Sequence, residues 1–401
     1  MRFGVNYIPS KAWLHRWLDW DEAAVDADLQ AIARHGMDHI RAHLIWPYFQ
    51  VDPARMSAAA MENLKSFVKL CEKNGLDFCL SLFTGWMSGS SFFPAWLTPL
   101  GDPAGRKNMF TDPSMIAAEE FYVRRIAEVV VSSPRFLGFD LGNEVSAIVC
   151  VFGMQQELDA CDAWHTRMIS LCRELAPGKL HNSGVDHTPW FGHVAFSRET
   201  LANVCDVVAL HGWSEFTGAR AKNGTMGLES IQIAGFCVEL ARACNHTEGM
   251  QYWLQEFGST PIWHEDGTTP GDFLRQTLEV MAAQEDVWGV TWWCSHDIDR
   301  DLASYHPMEY ELGLFSRDNE PRDSALVMKE FAEKQKRGEL KPIHRREAVV
   351  FDEEEYEKDA WSQISKYMNA VRGGKSPAIV WKRQTSDREY LCRRGIDTLL
   401  Y

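Results

Sequence analysis

Two hydrophobic periodicities alternate along the chain. Short runs rich in Val, Ile, Leu and aromatic residues occupy 3–8, 39–44, 76–83, 136–141, 179–185, 206–211, 252–257 and 287–293, and they read as buried strands. Between them, apolar residues recur every three or four positions over 22–35, 58–74, 114–131, 156–175, 228–245, 271–285 and 322–336. That spacing places one apolar face on a helix. The fifth helix, near 198–203, fits the pattern least well. Strands separated by helices predict a parallel sheet, because parallel neighbours need crossover connections. Eight repeats over about 335 residues suit a closed (β/α)8 TIM barrel better than an open doubly wound sheet. The first strand is followed by no G-x-G-x-x-G, which removes the main nucleotide-binding alternative. Segments after strands 2, 3, 4 and 8 are long, so function is expected at the C-terminal face.

The pattern changes beyond residue 340. Short strands at 348–351 and 377–381 flank a helix at 361–372, and 351–359 is an acidic run of the kind that usually forms a solvated face. Residues 1–339 are therefore expected to form the barrel. Residues 340–401 should form a small C-terminal α/β extension, packed on the barrel or at a contact in a possible homo-oligomer.

Composition narrows the partners. A net charge of −15 over 401 residues disfavours nucleic acid, whose phosphates need a basic face. No uncharged apolar stretch is long enough to span a bilayer, and the start of the sequence lacks a basic region leading into an apolar run of signal length. A cytoplasmic protein without membrane contact is expected. The ten cysteines show no C-x-x-C spacing and several lie in apolar runs, as reduced core residues would. Sixteen Trp and twenty-one Phe are many for this length. Indole stacks well on the C–H face of a pyranose, although aromatic rings more often fill cores.

Candidate chemistry sits at two strand ends. Strand 4 ends Phe139-Asp140-Leu141-Gly142-Asn143-Glu144, and strand 7 ends Trp253-Leu254-Gln255-Glu256-Phe257-Gly258. Strand ends of a barrel converge on one mouth, so these two glutamates can face each other. Two facing carboxyls suit glycosidic cleavage: one protonates the departing oxygen, the other attacks the anomeric carbon. The second negative charge and partial desolvation raise the pKa of the acid. Three histidines, His181, His187 and His211, leave a metal hydrolase open as a different chemistry, but their spacing forms no compact motif. No cofactor or metal is expected.

The Asn-Glu ending strand 4 and the Glu ending strand 7 resemble the clan A glycosidases, and more narrowly glycoside hydrolase family 5. That resemblance implies Glu144 as acid/base, Glu256 as nucleophile and Asn143 as the partner of the sugar hydroxyl at C2. It also implies that Arg41 orients and ionises the nucleophile, and that His211 supports the catalytic hydrogen-bond network. The aromatic platform beneath the sugar is Trp293, or Trp292 if the register slips by one. Two departures stand out. The family usually has a tyrosine touching the nucleophile where this chain has Trp213, and often a histidine ending strand 3 where it reads Ser81-Leu82-Phe83-Thr84-Gly85-Trp86.

The opening Arg2-Phe3-Gly4-Val5-Asn6-Tyr7-Ile8-Pro9-Ser10, with Trp13, His15 and Trp17, is similar to subfamily 18 of that family. So is the Trp292-Trp293-Cys294-Ser295-His296-Asp297 segment. This implies an exo-acting β-mannosidase on the mannosyl-β-1,4-N-acetylglucosamine core of N-glycans, with a small oligosaccharide as its partner. Candidate pocket walls are Trp86 with 87–96, Trp190-Phe191 and 263–266, and Asp186 and His187 are candidates for reading an axial hydroxyl. A β-glucosidase or other exo-β-glycosidase on the same barrel is the nearest alternative. A non-catalytic carbohydrate-binding barrel is a distant one.

Overall fold

A computed structural model of the chain describes residues 1–98, 105–151, 158–192, 194–302 and 305–401. Eight strands form one parallel sheet: β1 (Arg2–Tyr7), β2 (His39–Ile45), β3 (Asp77–Thr84), β4 (Phe136–Asn143), β5 (Asn182–Gly184), β6 (Val208–His211), β7 (Tyr252–Phe257) and β8 (Val287–Trp292). Their order is β6-β7-β8-β1-β2-β3-β4-β5, every pairing is parallel, and β8 pairs with β1. The sheet therefore curls almost fully around. The remaining gap, between β5 and β6, is crossed by the Asp206 N–H, which donates to the His181 carbonyl at 2.9 Å. This is a (β/α)8 barrel, as the alternation predicted.

The helices are α1 (Glu22–Arg34), α2 (Ala58–Asn74), α3 (Pro113–Val130), α4 (Leu158–Leu175), α5 (Arg198–Asn203), α6 (Leu228–Cys244), α7 (Pro270–Ala282) and α8 (Asp323–Lys336). Local signals fix their ends. Asp21 and Ser57 accept from backbone N–H groups of α1 and α2, satisfying donors that have no partner inside the helix. Thr269 and Asp272 form a reciprocal capping box at α7, with Pro270 in its first turn. The predicted start of the fourth helix at 156 lies outside the described residues.

β5 is shorter than the predicted 179–185, and side chains explain why. Asp140 Oδ1 accepts from Gly184 N at 2.6 Å, Asp206 Oδ2 accepts from His181 N at 3.0 Å, and His181 Nδ1 accepts from Phe139 N at 3.2 Å. These atoms take backbone groups that a ladder would otherwise pair. The strand is interrupted, but these backbone groups keep partners.

A three-stranded parallel sheet follows the barrel: β9 (Glu347–Phe351) at its centre, flanked by β10 (Ala378–Trp381) and β11 (Thr398–Leu400), the last not anticipated from the sequence. The acidic run becomes the short helix Glu353–Lys358, with Glu353, Glu354 and Glu355 in its first turn, where the helix dipole favours them. α9 (Ala360–Arg372) packs beside it. Together they cover the outer side of α6, which consequently is buried nearly all round rather than amphipathic. Tyr356 Oη donates to the Trp190 carbonyl and Trp361 Nε1 to the Thr217 carbonyl, so this segment also braces the loops after β5 and β6.

The described cysteines are free thiols, all buried except Cys392. Among the described residues, no helix is long and apolar enough to cross a membrane.

Candidate active site

Inside the barrel lies a polar layer that the apolar strand pattern conceals. Arg41, from the middle of β2, is fully buried. Its Nε donates to Asp140 Oδ2 at 2.8 Å, Nη2 to Asn143 Oδ1 at 3.1 Å, and Nη1 to both Asn6 Oδ1 at 3.1 Å and Glu256 Oε2 at 3.2 Å. Burial opposes the charge on Arg41, but the carboxylates of Asp140 and Glu256 outweigh it and hold the guanidinium firmly protonated. The backbone leaves room for this only because residue 184 is glycine. A Cβ there would sit 2.6 Å from Gln255 Oε1 and 2.7 Å from Arg41 Nη2.

Glu144 and Glu256 are delivered to the mouth by different local devices. Glu144 follows β4 with φ +47°, an uncommon left-handed conformation for a non-glycine residue, and its N–H is held by the Gly184 carbonyl at 2.7 Å. On the far side, the β6–β7 pairing shifts register after Leu210, which sets His211 opposite Glu256. One oxygen of Glu144, one oxygen of Glu256 and one ring nitrogen of His211 all lie within 4.8 Å of one another. His211 Nδ1 is 3.1 Å from Glu144 Oε1 and 3.7 Å from Glu256 Oε2.

Their environments differ. Burial and the nearby charge of Glu256 push Glu144 up to about 7, against a lowering contribution from His211. A carboxyl held near that value is protonated often enough to act as an acid at neutral pH. Glu256 is instead surrounded by donors: Arg41 on one oxygen and the Trp213 indole N–H, at 2.8 Å, on the other. Burial opposes protonation of His211, but the charges of Glu256 and Glu144 outweigh it and raise its pKa. Thus Trp213, where the family pattern has tyrosine, still presents a hydrogen-bond donor to Glu256.

These groups line a cavity of about 560 Å³ at the C-terminal mouth, a size usual for small-molecule sites. Trp86, Met87, Ser88 and Gly89 of the hairpin after β3 form one side. Asp186 and His187 after β5, with Glu215 and Phe216 after β6, form another. Trp293 is part of the floor, and His306, Met308 and Glu309 of the loop after β8 complete the wall.

Of the sequence candidates, Glu144, Glu256, Asn143, His211, Trp213, Trp293, Trp86 and His187 meet in this cavity, with Arg41 beneath it. Trp292 does not line it. Its side chain is fully buried against Phe257 and its Nε1 donates to the Leu312 carbonyl, because successive residues of a strand point to opposite faces. The aromatic segments expected as walls mostly support the wall from behind: Phe92 packs on Trp13 and Tyr48, Trp263 packs on Trp213, and Trp190 is core. No histidine metal triad forms either. His181 spends its ring nitrogens on Phe139 N and the Ala176 carbonyl, away from His187 and His211. The group of described residues that could hold a cation is Glu144, His211 and Glu256.

Several participants fall outside the candidate set. Asn6, Asp140, Gln255 and Asn182 belong to the buried layer, and Glu215, Phe216, His306 and Glu309 to the rim. For Asn6 and Asp140 the available sequence signal is a polar residue flanked by apolar neighbours inside a strand, as in Phe139-Asp140-Leu141; Gln255 and Asn182 have polar neighbours and carry no such signal.

No protein-family model matches the chain, and no curated protein does. Solved structures do. The glycoside hydrolase family 5 subfamily 18 protein of Streptomyces cattleya, a variant with one glutamate replaced by alanine in complex with mannosyl-β-1,4-N-acetylglucosamine, is 31% identical. The match covers 100% of this chain and 98% of that one, with a TM-score of 0.94. A glutamate-to-alanine variant of the subfamily 18 protein of Bifidobacterium longum subsp. longum, with the same disaccharide, is also 31% identical. It covers 100% and 95% of the two chains at a TM-score of 0.91. An exo-β-1,4-mannosidase from an Opitutaceae bacterium shares the fold at 24% identity and a TM-score of 0.80, over 95% of this chain and 69% of that one.

Proposed function

The chain belongs to glycoside hydrolase family 5, subfamily 18, and from that premise we propose that it is a retaining, exo-acting β-mannosidase. Its substrate is mannosyl-β-1,4-N-acetylglucosamine or a similar short β-mannoside, from which it releases mannose. That it is a glycoside hydrolase follows from the family. The mechanism rests on one observation above all, the approach of Glu144 and Glu256 to within 4.8 Å at their nearest oxygens. Retention needs carboxyls about 5–5.5 Å apart, whereas inversion needs about 6.5–9.5 Å to admit a water between base and sugar.

In this reading Glu256, ionised and aimed by Arg41 and Trp213, attacks the anomeric carbon from below. Glu144 gives its proton to the glycosidic oxygen as that bond breaks, and the aglycone leaves on the Glu144 side. A glycosyl ester on Glu256 results. Glu144, now ionised, takes a proton from water, which opens the ester with a second inversion at C1 and so net retention. Trp293 supplies the apolar platform, and Asn143, oriented by Arg41 and by the Trp86 carbonyl, faces the cavity beside Glu144. The disaccharide held by the Streptomyces and Bifidobacterium proteins supports the choice of sugar.

The test is a panel of aryl β-manno-, gluco- and galactosides beside the natural disaccharide, run on the wild type and on Glu256→Ala with azide. The expected result is manno preference in the wild type, no turnover in the variant, and recovery with azide as a glycosyl azide of inverted configuration. A gluco preference would overturn the sugar assignment, and normal turnover by Glu256→Ala would overturn the mechanism.

A further inference from the structure

Among the described residues, none of 340–401 lines the cavity, yet an indole from that segment is fastened to the turn that carries Trp213. Asp359 caps α9 and accepts from the Trp361 N–H at 3.0 Å, which fixes Trp361 in the first turn of that helix. From there Trp361 Nε1 donates to the Thr217 carbonyl at 2.9 Å. Gly218 follows at φ +78°, a left-handed conformation suited to glycine, and a Cβ there would stand 3.4 Å from the same Nε1. The Lys222 ammonium lies 4.9 Å from the centre of the Trp361 ring, a cation on an aromatic face.

The turn 213–218 passes this contact inward. Thr217 Oγ1 donates to the Trp213 carbonyl at 2.6 Å, and Thr217 N donates to the same oxygen at 3.2 Å. The Trp213 indole N–H in turn meets Glu256 Oε1 at 2.8 Å. Its ring lies over Gly258, where a Cβ would come within 2.7 Å of it. On the barrel side the turn is held by Trp263, whose ring meets Trp213 edge-on, and by Arg220, which pairs with Glu215 and lies over Trp263. On the outer side it is held by Trp361.

A loop is the part of a domain that opens most readily, and Trp213 must keep its N–H on a carboxylate from such a loop. A misplacement of about 1 Å near the chemistry can cost about 100-fold in rate. Tyr356 makes a parallel contact with the loop after β5, where its Oη donates to the Trp190 carbonyl at 3.1 Å. That loop carries Asp186 and His187 of the cavity wall. A segment that served only to cover α6 would need neither aromatic donor on a rim loop.

We propose that Trp361 is a positioning residue for cleavage: through Thr217 it holds the Trp213 indole on Glu256, which makes the C-terminal extension part of the catalytic apparatus. The proposal rests on Glu256 as the nucleophile and adds what keeps its donor in place.

The experiment is a double-mutant cycle on the full chain, comparing wild type, Trp361→Phe, Trp213→Phe and the double variant. Each is assayed for kcat and KM on the aryl glycoside that the wild type cleaves best, with melting temperatures to verify folding. Phenylalanine keeps an aromatic ring beside Lys222 and removes the N–H. Trp361→Phe should lower kcat/KM by about 3- to 10-fold, the size of one neutral hydrogen bond, with KM little changed. In the Trp213→Phe background the same change should cost less than about twofold, because the donor it positions is already gone. Thr217→Val has the same shape without the hydroxyl and breaks the next link. It should behave alike, so the route is still tested if Trp361→Phe melts early. Equal losses in the two backgrounds, or activity within about twofold of wild type in both Trp361→Phe and Thr217→Val, overturn the proposal. Failure of the underlying reading looks different: Trp213→Phe would then cost nothing by itself, and the proposal falls with it. A costly Trp213→Phe with an additive Trp361→Phe overturns the positioning role alone.

Discussion

Glu144→Gln keeps the shape of the acid while removing its ability to ionise, and the structure fixes two consequences of different sign. Burial and the charge of Glu256 move this carboxyl from 4.5 to about 7. At about 1.4 kcal/mol per pH unit, the folded protein disfavours the anion by about 3 kcal/mol. Between pH 4.5 and about 7 the folded state keeps a proton that the unfolded chain releases, so this group lowers stability progressively through that window and fully above it. Glutamine escapes the cost. Its gain should be near zero at pH 4 and should approach 3 kcal/mol at pH 8, a rise in Tm of roughly 4 °C for a chain of this length. Catalysis should move the other way. The wild type on a substrate with a poor leaving group should lose kcat/KM about tenfold per unit above pH 7. Glu144→Gln should be nearly inactive on that substrate and should lack the alkaline limb on an activated aryl glycoside. Thermal melts at several pH values and the two pH–rate profiles test both. A Tm gain equal at pH 5 and pH 8, or a limb near pH 7 that survives in the variant, would refute the reasoning.

Other perturbations probe the groups around Glu256. Trp213→Phe removes the N–H held 2.8 Å from Glu256 Oε1 and should reduce kcat/KM by about 10- to 100-fold, the equivalent of 1.5–3 kcal/mol. Trp213→Tyr restores a donor and should recover most of the loss; equal rates for Phe and Tyr would show that the N–H is not what matters. Arg41→Met strands the buried Asp140 and Glu256 and should cost about 3–5 kcal/mol in denaturant melts, with partial recovery on adding Asp140→Asn. A cost below about 1 kcal/mol would contradict the buried pairing. Exhaustive chelation should leave turnover unchanged, since Glu144, His211 and Glu256 each have a protein partner already; loss that zinc or another divalent ion restores would revive a metal chemistry.

The parts of this fold that the sequence displays are those governed by a period. Strands buried on both faces give continuous apolar runs, and the two glutamates stood out because each terminates such a run beside a glycine. The same double burial hides everything that depends on facing. Trp292 and Trp293 are equally apolar, and only the pleat sends one into the core and the other to the cavity floor. Asp140 looks like a lapse in an apolar pattern until Arg41 is found opposite it. Glu309 and Phe216 lie on loops, where no periodicity applies. The sequence of α6 reads as amphipathic because a helix pattern cannot report that a second layer, β9 to β11 and α9, covers its outer face.

The buried layer also has a polarity that bears on how Glu144 works. Asn182 Nδ2 faces the Leu180 carbonyl, so its Oδ1 is free to accept from Gln255 Nε2 at 2.7 Å. Gln255 then presents Oε1 to His211 Nε2 at 3.3 Å, which requires a proton on that nitrogen. The other nitrogen, Nδ1, meets Glu144 Oε1 at 3.1 Å. One proton must lie between them, either on the carboxyl or on an imidazolium, because two bare lone pairs would face each other if neither carried it. Both placements are the same protonation state of the pair, and the raised His211 and raised Glu144 describe one coupled group. The proton given to the leaving oxygen thus comes from a pair backed by Gln255 and Asn182, neither of which lines the cavity. The same pair is the one that must take a proton back from water. The amide chain behind the pair fixes which ring nitrogen faces the carboxyl.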